Sequence, residues 1–178
     1  MRKLMLEAVM RGVVTEPPPL PDADALKEVG EALARTTRRK LGRSLSIREV
    51  DAGSCNGCEL EIHALNNAFY DIERFGLRFV ASPRHADVLL VTGPVTANMR
   101  LALERTYRAT PDPKWVVAVG DCGVDGGCFA GSYACVGGVG AVLPVDLHIR
   151  GCPPRPIDLL KGLLALVERN DDSLTRRQ

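Results

Sequence analysis

Two runs, VLLVTG at 88–93 and WVVAVG at 115–120, decide the fold. Each is apolar at successive positions, where a half-exposed strand would alternate, and each stops on glycine. Strands buried on both faces read this way, and they belong to parallel sheets covered by helices on both sides. Working outward, 46–50, 77–81 and 145–149 read as further strands, while 59–69, 95–107 and 157–167 carry helical spacing. This alternation predicts an α/β fold, a doubly wound parallel sheet over 45–169. Ahead of it, 1–44 reads as an N-terminal helical arm. It holds a short amphipathic stretch (Leu4, Leu6, Val9, Met10, Val13), the stiff spacer PPPLP at 17–21, and a helix from Asp24 with Leu26, Val29, Leu33 and Leu41 as its apolar residues. The arm is expected either to be solvated or to pack on a partner subunit or the membrane surface. The segment 170–178, NDDSLTRRQ, reads as a polar tail.

Composition narrows the function. The chain has 178 residues, 46% hydrophobic and 25% charged, with 23 Lys and Arg against 22 Asp and Glu. At this length roughly 70% of the unfolded chain's surface is buried on folding, so no disulfide staples are needed. The balanced charge argues against nucleic acid as a partner, since polyanion binding leaves a basic excess. No run of apolar residues is long enough to span a bilayer. Residues 1–14 are interrupted by Glu7 and Arg11, and Arg38-Arg39 is not followed by an apolar run, so neither reads as an export signal. A cytoplasmic, reducing location is expected. There the six cysteines point to metal ligation or redox chemistry rather than structural bridges.

The strand assignment places four of those cysteines together. Cys55 and Cys58 form C-x-x-C after the first strand, Cys122 follows WVVAVGD, and Cys152 follows VDLHIRG. All four therefore fall at carboxyl ends of strands, the edge where open parallel sheets bind ligands. Glycines crowd the same loops: Gly53, Gly57, Gly120, Gly123, Gly126, Gly127 and Gly151. They allow backbone to approach a bulky inorganic group and turn amides toward its negative charge. Pro153-Pro154 stiffens the chain after the last cysteine. Spacing alone leaves three readings open: an iron-sulfur cluster, a closed four-cysteine zinc site in a binding module, and a thioredoxin-like thiol pair. One pair followed by two distant single cysteines suits the first best.

The strings GSCNGCELEI at 53–62, FG at 75–76, SPRHADVLLVTG at 82–93, GDCGVDGG at 120–127 and VLPVDLHIRGCPPRP at 142–156 resemble, in order, the small subunit of membrane-bound, energy-converting [NiFe]-hydrogenases. The resemblance is greatest to formate hydrogenlyase and hydrogenase-4 type complexes. That family is homologous to the cluster-bearing small subunit of respiratory complex I. The resemblance implies a flavodoxin-like fold and one [4Fe-4S] cluster bound by Cys55, Cys58, Cys122 and Cys152. It implies an oxidoreductase subunit that is not catalytic alone, relaying electrons between a [NiFe] centre in a large subunit and a ferredoxin-like iron-sulfur subunit. Membrane-embedded subunits would hold the assembly peripherally on the cytoplasmic side of the inner membrane. The alternative it implies is a complex I-like NADH:quinone oxidoreductase small subunit. Complex I small subunits carry two adjacent cysteines at the first position, whereas CNGC at 55–58 keeps the hydrogenase spacing.

Cys128 and Cys135 match no ligand position of that pattern and are expected to be inert thiols. Glu59 and Glu61 sit where acids complement a helix dipole, and Glu59, beside Cys58, is the candidate for tuning a cluster or passing protons. Arg74, Arg84 and His85 are expected at loops or at the large-subunit interface. His63 and His148 show no ligand spacing, and GGVG at 137–140 lacks the dinucleotide fingerprint.

Overall fold

The computed structural model describes Met10 and residues 23–169. The amphipathic stretch apart from Met10, the proline spacer and the polar tail lie outside the described residues.

The elements run α1 (Ala23–Leu41), β1 (Leu45–Asp51), α2 (Gly57–Ala64), β2 (Leu77–Phe79), β3 (Val88–Thr92), β4 (Val95–Thr96), α3 (Ala97–Ala109), β5 (Trp115–Val119), α4 (Gly120–Asp125), β6 (Cys135–Gly137), β7 (Leu147–Ile149) and α5 (Pro156–Arg169). Five strands form one parallel sheet in the order β2-β1-β3-β5-β7. Numbered within the sheet alone this is 2-1-3-4-5, the flavodoxin-like order, as the resemblance implied. The order reverses between β1 and β3, which makes that gap the switch point where such folds bind ligands.

The continuous apolar runs are explained by two cores. In β3, Val88 and Leu90 face one core and Leu89 and Val91 the other; in β5, Trp115, Val117 and Val119 face the first while Val116 and Ala118 face the second. Leu26 and Leu33 of α1 and Leu159, Leu160, Leu163 and Leu166 of α5 complete the first core, and Leu103 of α3 belongs to the second. The expected arm helix is thus part of the domain itself: Leu33 is fully buried, a contribution of roughly 1.5–3 kcal/mol.

Several strand and helix ends shift by one or two residues from the sequence reading, and two regions differ more. Residues 95–107, read as helix, open with the two-residue strand β4, which pairs antiparallel with β6 in a separate two-stranded sheet. The helix read over 59–69 stops at Ala64. Beyond it the Asn67 Oδ1 accepts from the Phe69 and Tyr70 amides at 2.9 Å each, an Asn competing with the helical ladder.

Candidate functional site

The loop after β1 is shaped by Asp51, whose Oδ1 accepts from the Gly53 and Ser54 amides at 2.7 Å each. Asn56 then takes a left-handed conformation (φ 70°), and Cys58 opens into α2. The loops after β5 and β7 are tied to each other: the Asp121 amide donates to the Gly151 carbonyl at 2.9 Å, and the Gly151 amide to Asp121 Oδ1 at 3.2 Å. Arg150 crosses the same corner to Asp125 at 3.1 Å.

These ties bring the three loops into contact through their glycines. A Cβ added at Gly120, whose φ of 79° already disfavours a side chain, would stand 2.6 Å from Cys58 Sγ and 3.5 Å from the Gly151 carbonyl. One added at Gly57 would lie 3.5 Å from Cys55 Sγ and 3.9 Å from Pro153, and one at Gly127 2.9 Å from Cys122 Sγ. At Gly120 and Gly127, then, only glycine leaves room beside the Cys58 and Cys122 sulfurs, while the Gly57 contacts are ordinary packing distances. Electrostatics give the same grouping. Burial first, then the neighbouring Glu59, Cys55, Cys122 and Cys152, pushes the Cys58 thiol up to about 12. Burial and then Cys128, with Cys152 also contributing, raise the Cys122 thiol as well. Cys122 is buried, Cys58 half-buried, and Cys55 and Cys152 are exposed, so the group opens at the surface.

Such a cradle fits a bulky anionic group held by several thiolates. Among the described residues, no three His, Cys, Asp or Glu side chains stand close enough to hold a single metal ion. Metal or cluster binding would have to displace protons from Cys58 and Cys122, because only the thiolate is a ligand.

The other candidates divide. Glu59 is at the site, but it is not the exposed helix cap that its position suggests: it is 6% exposed and neither carboxylate oxygen has a hydrogen-bond partner. Arg74, Arg84 and His85 are exposed and lie ahead of β2 and β3, at the amino ends of the strands, away from the cysteines. Arg74 covers the Phe75 ring at 4.6 Å. Cys135 is carried off into β6, opposite Thr96. Sequence reasoning missed Glu49, in β1. Its Oε1 is buried without a partner, and burial raises its carboxyl, with Glu59 adding to the rise and His63 opposing it. Because β1 (LSIREVD) also carries Ser46, Arg48 and Asp51, Glu49 does not stand out in the sequence.

Residues 55–166 match the family described as NADH ubiquinone oxidoreductase, 20 Kd subunit. The chain belongs to that family. It is 46% identical over 134 residues to formate hydrogenlyase subunit 7 of Escherichia coli (strain K12), covering 74% of this chain and 52% of the relative. It is 48% identical over 113 residues to an NADH-quinone oxidoreductase subunit of Clostridium beijerinckii, covering 63% and 67%. Among solved structures it is similar to a chain of the membrane-bound sulfane sulfur reductase, an archaeal respiratory membrane complex, with a TM-score of 0.63 and 34% identity over 82% of this chain and 85% of that one. The chain spans about half the length of the formate hydrogenlyase relative. These relatives bear the names of oxidoreductases or their subunits, and membership makes this chain a subunit of the hydrogenase and complex I-like kind. Among the described residues no helix is long and apolar enough to cross a membrane.

Proposed function

We propose that this chain is the electron-relay subunit of a membrane-bound, hydrogenase-like oxidoreductase, and that Cys55, Cys58, Cys122 and Cys152 hold one [4Fe-4S] cluster. The carrying observation is the close meeting of the loops after β1, β5 and β7, where Gly120 lies against Cys58 and Gly127 against Cys122, with Cys55, Cys122 and Cys152 all near enough to act on the Cys58 thiol. When bound, the cluster supplies one-electron transfer, the chemistry that the side chains lack. The chain's own residues position and insulate it. Gly120 and Gly127 leave room for the sulfurs, Asp51 shapes the first loop, and the Asp121–Gly151 bonds hold the second and third loops together.

The exposed side of the site gives access for electron exchange. We assign its partners as a [NiFe]-type large subunit, a ferredoxin-like iron-sulfur subunit and membrane-embedded subunits, with the assembly on the cytoplasmic face of the membrane. Leu60, 62% exposed beside Cys58, and Phe129 and Tyr133 in the loop after α4 supply apolar surface for such a neighbour. The related names attach to hydrogen, quinone and sulfane sulfur chemistry, so the terminal reaction belongs to the partner and the relay to this chain. The C-x-x-C spacing favours the hydrogenase type over the complex I type.

The test is serine substitution at each cysteine in the purified complex, read by iron, acid-labile sulfide and the visible spectrum. Loss of the cluster on changing Cys55, Cys58, Cys122 or Cys152, with retention on changing Cys135, is expected. A colourless protein holding one zinc would overturn the assignment in favour of a zinc-stabilised module.

A further inference from the structure

Basic side chains gather where α1 ends, and several of them have a structural partner. Arg35 pairs with Glu31 one turn back at 3.6 Å. Lys40 donates to the Val167 and Glu168 carbonyls at 2.6 and 2.8 Å, closing the end of α5. Arg43 forks onto Asp87 at 2.6 and 2.7 Å. Among the described residues, neither Arg38 nor Arg74 pairs with a carboxylate. Both line one cavity of about 360 Å³, bounded by α1, the loop from α1 to β1 and the turn before β2.

Packing fixes the walls of that cavity. Phe75 is 7% exposed, and its ring lies so close to α1 that a Cβ added at Gly30 would stand 2.4 Å from it. Arg74 lies over the same ring, 4.6 Å from its centroid, a cation–π contact that holds the guanidinium in place. Ala34, Thr37 and Arg38 follow Gly30 at helical spacing, so the face of α1 that packs on Phe75 runs on into the cavity. The Leu45 amide, bonded to the Gly76 carbonyl at 2.9 Å, ties the loop to the turn. A Cβ added at Gly42 or Gly76 would meet nothing within 4 Å, so these two glycines border open space. Thr37 is 2% exposed, and its Oγ1 has no hydrogen-bond partner.

Two unpaired guanidiniums on one cavity repel each other, and a buried hydroxyl without a partner is costly; an anion relieves both. Glu73, on the same wall, pairs with neither arginine and opposes the anion, as does the carbonyl end of α1. Because Arg38 and Arg74 stand on different elements, they suit the several oxygens of a tetrahedral group better than a planar carboxylate, which one arginine fork satisfies. We propose that this cavity is a phosphate-group site, taking inorganic phosphate or the headgroup of an anionic phospholipid, with Arg38 and Arg74 as its cations and Thr37 as a hydroxyl donor. Arg43, held by Asp87, forms part of the wall without adding net charge. The site is independent of the cluster assignment, since none of its residues lies in the loops that carry the cysteines.

The experiment labels the full chain with phenylglyoxal, which modifies free guanidinium groups, and reads each arginine by peptide mass spectrometry. Inorganic phosphate should protect Arg38 and Arg74 saturably and leave Arg100 and Arg155, both paired with acids, unchanged. Arg38→Gln should weaken the protection of Arg74, and Arg74→Gln that of Arg38, at least about tenfold in phosphate concentration. Thr37→Val, which keeps the shape and removes the hydroxyl, should weaken both about threefold, and Glu73→Gln should strengthen both about threefold. Far-UV circular dichroism and iron content should not change in any of these variants, so the cluster assignment stands or falls separately. Vesicles of phosphatidylcholine with and without phosphatidylglycerol, in phosphate-free buffer, separate the sources. Protection by the anionic vesicles alone, at a lipid phosphate concentration where the free ion is ineffective, assigns the headgroup; protection by phosphate without vesicle binding assigns the free ion. Acetate protecting as well as phosphate would overturn the proposal in favour of a carboxylate, such as an acidic segment of a neighbouring subunit. No protection by either phosphate or anionic vesicles, or protection of Arg74 untouched by Arg38→Gln, would overturn it outright.

Discussion

Asp87 and Glu59 are carboxylates of nearly equal burial, 7% and 6% exposed, at opposite ends of one sheet. At the amino end Asp87 accepts from two Arg43 nitrogens at 2.6 and 2.7 Å and from the Ser46 amide at 2.9 Å. Glu59, at the carboxyl end, has no partner on either oxygen. The amino end closes its polar groups on one another, as stability requires of buried polar atoms. The carboxyl end keeps thiols, an unpartnered acid and backbone in left-handed conformations, the local cost that functional sites carry.

That contrast can be broken most severely at Gly120. Gly120→Val places a side chain on Cys58 Sγ at a φ of 79°, and we expect near-complete loss of iron and visible absorbance while the far-UV circular dichroism stays that of the fold. A cluster retained in this variant would mean that the carboxyl end is not a tight cradle. Next in size is Asp87→Ala at the other end, which strands the buried Ser46 amide. It should cost about 1–3 kcal/mol in denaturant unfolding, with iron per folded chain unchanged.

Glu59→Met should do the reverse, raising the stability of the cluster-free chain by about 1 kcal/mol, because it removes a buried carboxylate that nothing pairs. Destabilisation of that size instead would show that Glu59 has a partner in the folded chain. The smallest effect is expected from Asp158→Asn in α5. Hydrogen bonds from Arg155 hold the Asp158 carboxyl below the usual carboxylate range. The folded-state shift is downward, so its stabilisation is present above the ordinary Asp value and is lost as pH falls through the lowered one. The variant should remove that slope from an acid titration of stability and do little at neutral pH, since the pair is exposed and screened.

Much of the fold was legible because burial on both faces writes itself into consecutive residues. The bounds of β3 match the reading at 88–92, and β5 ends one residue early only because Gly120 already turns into α4. What escaped was short or glycine-rich: β4 and β6 span two and three residues, too few for any period to show. At the site, the convergence of Cys55, Cys58, Cys122 and Cys152 followed from strand ends and resemblance. The burial of Glu59 did not, because a first-turn acid looks the same in sequence whether the helix face is wet or dry. Arg74, Arg84 and His85 carry strong motif context yet lie at the other end of the sheet, since a motif records neighbours along the chain and not which end of a strand they occupy.

By itself, then, the sequence determined that a parallel sheet covered on both faces would form and that four cysteines would follow its strands, because apolar periodicity and turn residues are local properties. Tertiary structure alone decided which side chains meet. It set Gly120 against Cys58 and drew α1 into the core beside α5. It also carried Cys135 into β6, opposite Thr96. Those contacts depend on how distant or sharply turned segments pack, and packing is settled only when the whole chain has closed.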